Sequence, residues 1–348
     1  MHLSEAFSFN SAICGLLGGI GIGAVAAVKL ATTFDLMPCT TPHLWSTTGT
    51  LWDSRPLVQH LTATVRGECK SKRPVRAAAG FILGSAFVSR MVAPVGMVEH
   101  SLDLLNPVQV AVGGALVGFG AGLGEGCTSG NGIQGLAALS TASFTFVCIF
   151  MGTAVATAIL AETGTHLATD ALAFAPTLTH VTPLLGIAAA GLAAQGALGR
   201  SLPQAASFLA GATFGTCLII AGMNKPSRVI GFLDVSSARG WDPTLAFVMG
   251  GGLLVTLPVY QFGELVAKSI PAVQVWATRP VDALLLLAAV SFGIGWGLTG
   301  VCPGPAMVAA GDGSIPGWVF VVSMFGARHV GESIRKVTGK RAMPLKAS

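Results

Sequence analysis

Apolar runs about as long as a bilayer is thick recur along this chain, and they constrain its fold more than any other feature. About 20 apolar residues cross the hydrocarbon core as a helix, whereas a membrane barrel strand alternates apolar and polar residues. The runs here are continuous, so they predict helices. Only 10% of the 348 residues are charged and the mean hydropathy is +0.71, against about 25% charged in a soluble domain. The expectation is an all-α polytopic membrane protein. The net charge of +5 falls between runs and in the tail, where it speaks to orientation rather than to nucleic acid.

The runs cover roughly 11–34, 75–98, 108–139, 143–162, 181–199, 203–223, 243–262, 281–310 and 316–330, which predicts about nine crossings. No basic residue precedes the first run, so it reads as a span and not as a cleaved signal. With nine crossings, the 35–74 loop, Arg200, Lys268, Arg279 and the basic tail share one side, cytoplasmic by the positive-inside rule. The segment 223–242 reads as a polar loop whose Lys225, Arg228 and Arg239 break that rule. Arg90, inside the second run, is expected to snorkel or to pair with an acid.

Two of the runs are broken in the same way. The stretch 118–132, GFGAGLGEGCTSGNG, is echoed at 293–306, GIGWGLTGVCPGPA. A shift of 175 positions places Gly118 on Gly293, Gly120 on Gly295, Gly122 on Gly297 and Cys127 on Cys302. FILGSAF (81–87) similarly resembles FVMGGGL (247–253), and Gly19 and Gly23 match Gly211 and Gly215. Runs one to three therefore correspond to runs six to eight. Each pair is five crossings apart, an odd number, so the repeat is inverted. The expected division is 1–200 and 201–348. Inverted repeats with discontinuous helices carry their binding sites near the membrane midplane.

Broken backbone at membrane depth is tolerated only inside protein or beside a polar cavity. New helical turns are expected near Ser129–Asn131 and near Pro305–Ala306, with freed N–H groups and the positive dipole end facing each break. That is an anion site with a thiol at each end. A thiol is a soft, weak hydrogen-bond donor suited to a sulfur-bearing anion. A thiolate would repel the anion, so neutral S–H groups are expected at Cys127 and Cys302. Taken singly, a buried cysteine is a packing residue; the repeated placement argues for function. Glu125, at membrane depth, is a functional candidate by default, against the alternative that it reaches an aqueous rim. Asn131 suits a half-helix cap as well as a pore lining. A disulfide between Cys127 and Cys302 would plug the site. Of the seven cysteines, Cys39, Cys69 and Cys148 read as structural, while Cys14 and Cys217 lie in runs. No metal-ligand spacing of histidines and no Cys-x-x-Cys occurs, so no metal or cofactor is expected.

The stretch LGEGCTSGNGIQGLAALS (123–140) resembles the GCTSGHG motif of the YeeE/YedE family of sulfur-compound transporters, and FGIGWGLTGVCPGPAMV (292–308) looks like the family's second cysteine motif. GMNKPSRVIGFLDVSSARGWDPTLAFVMGG (222–251) is similar to the small partner proteins of these transporters, so the chain looks like a fusion of both. The resemblance implies a permease that passes thiosulfate between cysteines by S–H contacts. It implies Cys127 and Cys302 as substrate-binding residues, with Cys14 a weaker match to a third family cysteine; Thr128, Ser129, Asn131 and Glu125, beside Cys127, complete the expected substrate-binding set. The chain departs from the family at Asn131, usually His, at Gln134, often Cys, and at Glu125. The expected partners are thiosulfate or a similar sulfur anion and the lipid bilayer, with no nucleic acid and with room for a cytoplasmic sulfur-handling protein. The expected location is the plasma membrane, and no enzymatic activity is expected. The alternatives are a membrane sulfurtransferase that carries persulfide, which needs an activated thiolate, and a channel for another small anion.

Overall fold

A computed structural model of the protein describes residues 9–33, 73–93, 97, 101–166, 178–198, 201–236, 241–266 and 279–338. Among these the chain is helical, without strands. The helices are α1 (Phe9–Thr33), α2 (Arg73–Met91), α3 (Pro107–Leu123), α4 (Thr141–Leu160), α5 (Thr163–His166) and α6 (Leu178–Leu198). They continue with α7 (Pro203–Ile220), α8 (Pro226–Leu233), α9 (Thr244–Val266), α10 (Ala283–Thr299), α11 (Pro303–Gly311) and α12 (Ile315–Val337). A π-type turn, Thr128–Gly135, follows α3. Local sequence sets several starts. Asn106 accepts the Val108 N–H at 2.9 Å with Pro107 in the first helical position of α3, and Asp282 accepts the Leu285 N–H at 2.8 Å to open α10.

Each of the nine apolar runs lands on a helix or a broken helix. Three are long and apolar enough to cross a membrane outright: Thr141–Leu160, Thr179–Leu198 and Thr244–Phe262. The pairs α3 with its π turn and α10 with α11, each bent by 40°, bring the number to five. The apolar stretches of α1, α2 and α7 (Asn10–Val25, Ile82–Met91, Phe208–Ile220) are shorter than a span. Leu83, Phe144, Leu160, Leu254 and Val322 stand exposed, as lipid-facing side chains do. The chain is a multi-pass, all-α membrane protein.

The packing follows the repeat. α1 lies on α9 and α2 on α7; α3 lies on α12 and α4 on α10; α1 meets α7 and α3 meets α10. Exchanging α1 with α7, α2 with α9, α3 with α10 and α4 with α12 returns the same set of pairs. The π turn touches α4 and α9 where α11 touches α12 and α2, which the same exchange also predicts. The long helices α1, α2, α3, α4 and α6 each pack chiefly on a helix that follows residue 200, so the two copies of the repeat share one interior.

Glycine makes these contacts possible. On α3, Gly114, Gly118 and Gly122 lie one turn apart, and a Cβ on any of them would strike the backbone of Phe320, Met324 or Arg328 on α12. On α10, Gly293 and Gly297 meet the backbone of Phe150 and Ala154 on α4 in the corresponding way. Lipid supplies no hydrophobic drive between helices, so close backbone approach must supply van der Waals contact instead. Between α4 and α10, Phe146, Phe150, Phe292 and Trp296 fill the interior with tilted and edge-on ring contacts at 5.5–6.5 Å.

The described residues of the segment 223–242, which are 223–236 and 241–242, do not form a polar loop; Arg239 lies outside them. The segment holds α8, on which Ser227, Arg228, Val229 and Ile230 are buried. Lys225 and Arg228 are therefore interior charges, and they do not count against the positive-inside rule. Arg279 is likewise no loop charge: it is 4% exposed. Arg90 pairs with Asp312 at the end of α11, donating to its carbonyl at 2.6 Å. The 35–72 part of the first loop, Arg200, Lys268 and the tail beyond residue 338 lie outside the described residues, as do Cys39 and Cys69.

At one rim, Arg335 of α12 donates to both oxygens of Asp282 at 2.9 Å. Burial pushes the Asp282 carboxyl up, but the hydrogen bonds from Arg335 and the Leu285 N–H, with the charges of Arg335 and Arg279, more than offset it and hold it below the usual carboxylate range. A depressed carboxylate stabilises the fold above its unfolded value of about 3.9 and loses that contribution as pH falls through the folded value. Asp282→Asn should therefore lower the melting temperature at pH 7 and flatten its decline below about pH 4, measured by thermal denaturation in detergent. Gly118→Ala, which drives a methyl into the α12 backbone, should cost about 1–3 kcal/mol in the same assay. Gly152→Ala, where nothing lies within 4 Å, should be close to neutral.

Candidate functional site

Both breaks are built alike. α3 ends at Gly124, whose N–H returns to the Gly120 carbonyl at 2.7 Å; α10 ends at Gly300, whose N–H returns to Trp296 at 2.7 Å. One residue in each break turns into left-handed backbone: Gly300 at φ +67° and Glu125 at φ +52°. They are 175 positions apart, the offset of the repeat. The chain then runs extended through Cys127 (φ −97°, ψ −165°) and Cys302 (φ −103°, ψ 171°). Each cysteine is the residue before a new helical segment, and its carbonyl accepts from Asn131 at 2.8 Å or from Ala306 at 3.1 Å. The new segments start at Thr128 and Pro303, earlier than the sequence suggests. Pro303, not Pro305, takes the first position. The thiols thus sit at the segment entrances, as the N-cap residues.

The tertiary fold brings the entrances together. The Cys302 side chain reaches the Thr128 side chain and is close enough to Cys127 to act on it electrostatically. Cys127 Sγ lies 3.2 Å from Ser129 Oγ. Cys127 is buried and Cys302 half-buried, and both are free thiols, so no disulfide joins them. Of the expected substrate residues, Cys127, Thr128, Ser129 and Cys302 form one cluster. Asn131 is fully buried one turn on; its Oδ1 accepts from Ser143 at 3.2 Å and from Arg279 at 3.1 Å. Its Nδ2 has no hydrogen-bond partner among the described residues, and neither does the buried Trp296 Nε1. These are donors beside the breaks. Gln134, also buried, accepts from the Tyr260 hydroxyl at 3.3 Å.

Arg279 is the residue that reading the sequence missed. Its guanidinium donates to the Gly124 carbonyl and to Asn131 Oδ1, and its Nε lies 3.6 Å from Glu125 Oε2. It clamps Gly124, Glu125 and Asn131 of the first break together. Left-handed backbone is costly for a residue with a Cβ, and Glu125 takes it where the second break has glycine. The ion pair with Arg279 compensates. Glu125 is therefore neither an unpaired intramembrane acid nor a bare rim residue. No local pattern links positions 125 and 279, so only the fold reveals the pair. Cys14 stands apart, in a separate cavity with Ser11, Lys225 and Arg228. Cys217 packs against Gly21 of α1, and Cys148 is exposed on the lipid-facing side of α4.

The family model described as sulphur transport matches residues 17–156, which include the whole first break, and a model for a family of unknown function (DUF6691) matches residues 204–343. A probable transporter of Xylella fastidiosa strain 9a5c is 35% identical over 117 residues, 33% of this chain and 80% of the relative. One from strain Temecula1 is 34% identical over 117 residues, 33% of this chain and 78% of the relative. The chain belongs to the YeeE/YedE sulfur-transport family. No solved structure matches it. The protein is a membrane transporter of the sulphur-transport family, and the boundary between the two family models falls between the two broken helices.

In this transporter Arg279→Gln leaves Glu125 and the Gly124 carbonyl without their cation. Removing one partner of a buried pair costs about 3–5 kcal/mol, so a marked loss of melting temperature and of transport is expected. Glu125→Gly in the same background removes both the orphaned charge and the left-handed strain. It should recover at least about 1–2 kcal/mol of that loss, read by a double-mutant cycle of thermal stability.

Proposed function

We propose that this protein is a permease for thiosulfate or a closely related small sulfur anion, carried across the plasma membrane into the cytoplasm. The observation that carries the reading is the contact of Cys302, at one helical entrance, with Thr128, the residue after Cys127 at the other, one entrance from each copy of the inverted repeat. Two helix N-termini favour an anion, and two thiols offer soft donors to its sulfur. Neutral S–H groups hold the anion weakly enough to release it, as passage demands. Thr128, Ser129 and the unpartnered Asn131 Nδ2 supply harder donors for the oxygens. The two halves, 1–200 and 201–348, act as the inverted partners whose relative movement opens the shared site to either side. A cytoplasmic sulfur-handling protein would consume the product.

The test is uptake of labelled thiosulfate by cells lacking any other route for it. Losing one hydrogen bond to a charged ligand costs about 1.5–3 kcal/mol. Cys127→Ala and Cys302→Ala should each lower uptake efficiency by about ten- to a hundredfold, while the protein remains folded in the membrane. Normal uptake by both variants would remove the thiols from the mechanism.

A further inference from the structure

The two broken helices are held at their far ends as well as at their breaks. After each break a short segment leads from the cysteine to the next long helix: the π turn with Leu136 and Ala137 after Cys127, and α11 after Cys302. Both segments close in the same way. The Ser140 N–H returns to the Gly135 carbonyl at 3.0 Å, and the Ser314 N–H to the Ala309 carbonyl at 3.0 Å. Each serine then opens the following helix: Ser140 Oγ accepts the Ser143 N–H at 3.2 Å, and Ser314 Oγ the Gly317 N–H at 3.1 Å. The serines are 174 positions apart and the cysteines 175. The first segment is therefore one residue longer, and its π winding takes up the extra residue.

The last carbonyls of a helical segment have no partner within it. In each copy one of them is taken by a long side chain of the helix that crosses the segment. Gln261 Nε2, on α9, donates to the Ala137 carbonyl at 2.7 Å, three residues before Ser140. Arg90 Nη2, on α2, donates to the Asp312 carbonyl at 2.6 Å, two residues before Ser314. The helices α2 and α9 are counterparts in the repeat. Asp312 Oδ1 also accepts from Ser89 Oγ at 2.7 Å and lies 3.6 Å from Arg90 Nε. Side chains often cap helix ends. Here the same bond recurs at matching ends, from matching helices, with a different donor in each copy. The two ends also face opposite ways. Ser314 donates to Asp103 Oδ1 at 3.1 Å, just ahead of α3. Phe146, on α4, closes on Gly124 at the other end of α3, where a Cβ would meet its ring at 2.6 Å. One tether therefore stands toward each side of the membrane.

We propose that Arg90 and Gln261 are positioning residues for transport. Each ties down the outer end of one segment and so fixes the seat of the cysteine at its inner end, Cys302 for Arg90 and Cys127 for Gln261. α11 is 9 residues long, and a helix that short is stiff, so a shift of its outer end moves its entrance. The crossing helices lie close along the segments: a Cβ on Gly311 would meet the Ile82 carbonyl of α2 at 2.6 Å, and one on Gly252 of α9 would meet Ile133 at 2.9 Å. Loss of a tether therefore lets one segment slide on its crossing helix and leaves the other segment in place. The inference rests on the permease reading for what the thiols carry; the tethers themselves do not depend on the substrate.

Alkylation of single thiols by a maleimide tests this in the purified full-length protein in detergent. Two backgrounds are compared, one keeping only Cys127 and one only Cys302, with the other cysteines changed to alanine. Arg90 is largely exposed, so its replacement leaves the fold intact. Arg90→Ala should raise the reaction rate of Cys302 by about three- to tenfold, the worth of one hydrogen bond, and leave Cys127 within about twofold. Gln261→Ala should do the reverse. Arg90→Lys keeps a donor and should restore the Cys302 rate, whereas Gln261→Glu keeps the shape without the donor and should behave as Gln261→Ala. With all cysteines present, Arg90→Ala and Gln261→Ala should each raise the KM for thiosulfate uptake by a similar factor and leave the maximal rate within about twofold. Unchanged rates at both thiols would overturn the proposal, and so would an equal rise at both in either variant, which is general loosening of the fold. A selective change in alkylation with an unchanged KM removes the tethers from transport. If the unaltered protein carries no thiosulfate, the permease reading fails, and the alkylation rates alone decide whether the tethers seat the cysteines.

Discussion

Every feature of this protein depends on one constraint: backbone that leaves a helix at membrane depth must find its partners inside the protein. Two helices are broken here, and both breaks are closed by the same short hydrogen bonds, from Gly124 to Gly120 and from Gly300 to Trp296. Lipid offers these backbone groups no other partner. The glycine faces of α3 and α10 cover them by letting α12 and α4 lie directly on their backbones. The seal and the site are thus products of the same residues. Glycine makes the break, and glycine one or two turns earlier lets the neighbouring helix cover it.

The repeat is symmetric in its packing and asymmetric in its chemistry. Gly300 makes the second turn freely, whereas Glu125 makes the first under strain and with a charge to satisfy. Arg279 answers that charge and at the same time holds the Gly124 carbonyl and Asn131. The first break is therefore clamped by a distant side chain, and the second makes the same turn on glycine. The asymmetry extends outward. The second break has α8 with Lys225 and Arg228 packed on it, while the first has the π turn with its fully buried Asn131.

Much of this architecture is legible in the amino-acid order alone. The nine apolar runs all form helices or broken helices, since a continuous apolar stretch in lipid has no other way to satisfy its backbone. The 175-residue offset locates both thiols at equivalent positions, because the same backbone path needs glycine at the same places. The misplaced elements share a cause. α8 and the residue before it carry Lys225, Ser227 and Arg228 within a short stretch, so the composition reads as a loop; its burial comes from Asp242, Thr244 and α10, which the local pattern does not contain. Arg279 reads as a loop cation for the same reason.

By itself the sequence determined that this chain is a multi-pass helical membrane protein with two broken helices and a cysteine in each. Periodicity, apolar length and repeated glycine are local quantities, and they suffice for that. Only the tertiary structure decided that Cys302 reaches Thr128 of the other break, that Glu125 is paired with Arg279, and that Cys14 lies with Lys225 and Arg228. Each of these joins residues far apart in the chain. In a low-dielectric interior the pairing of charges and donors is set by which helices lie side by side, and that is a property of the packed whole.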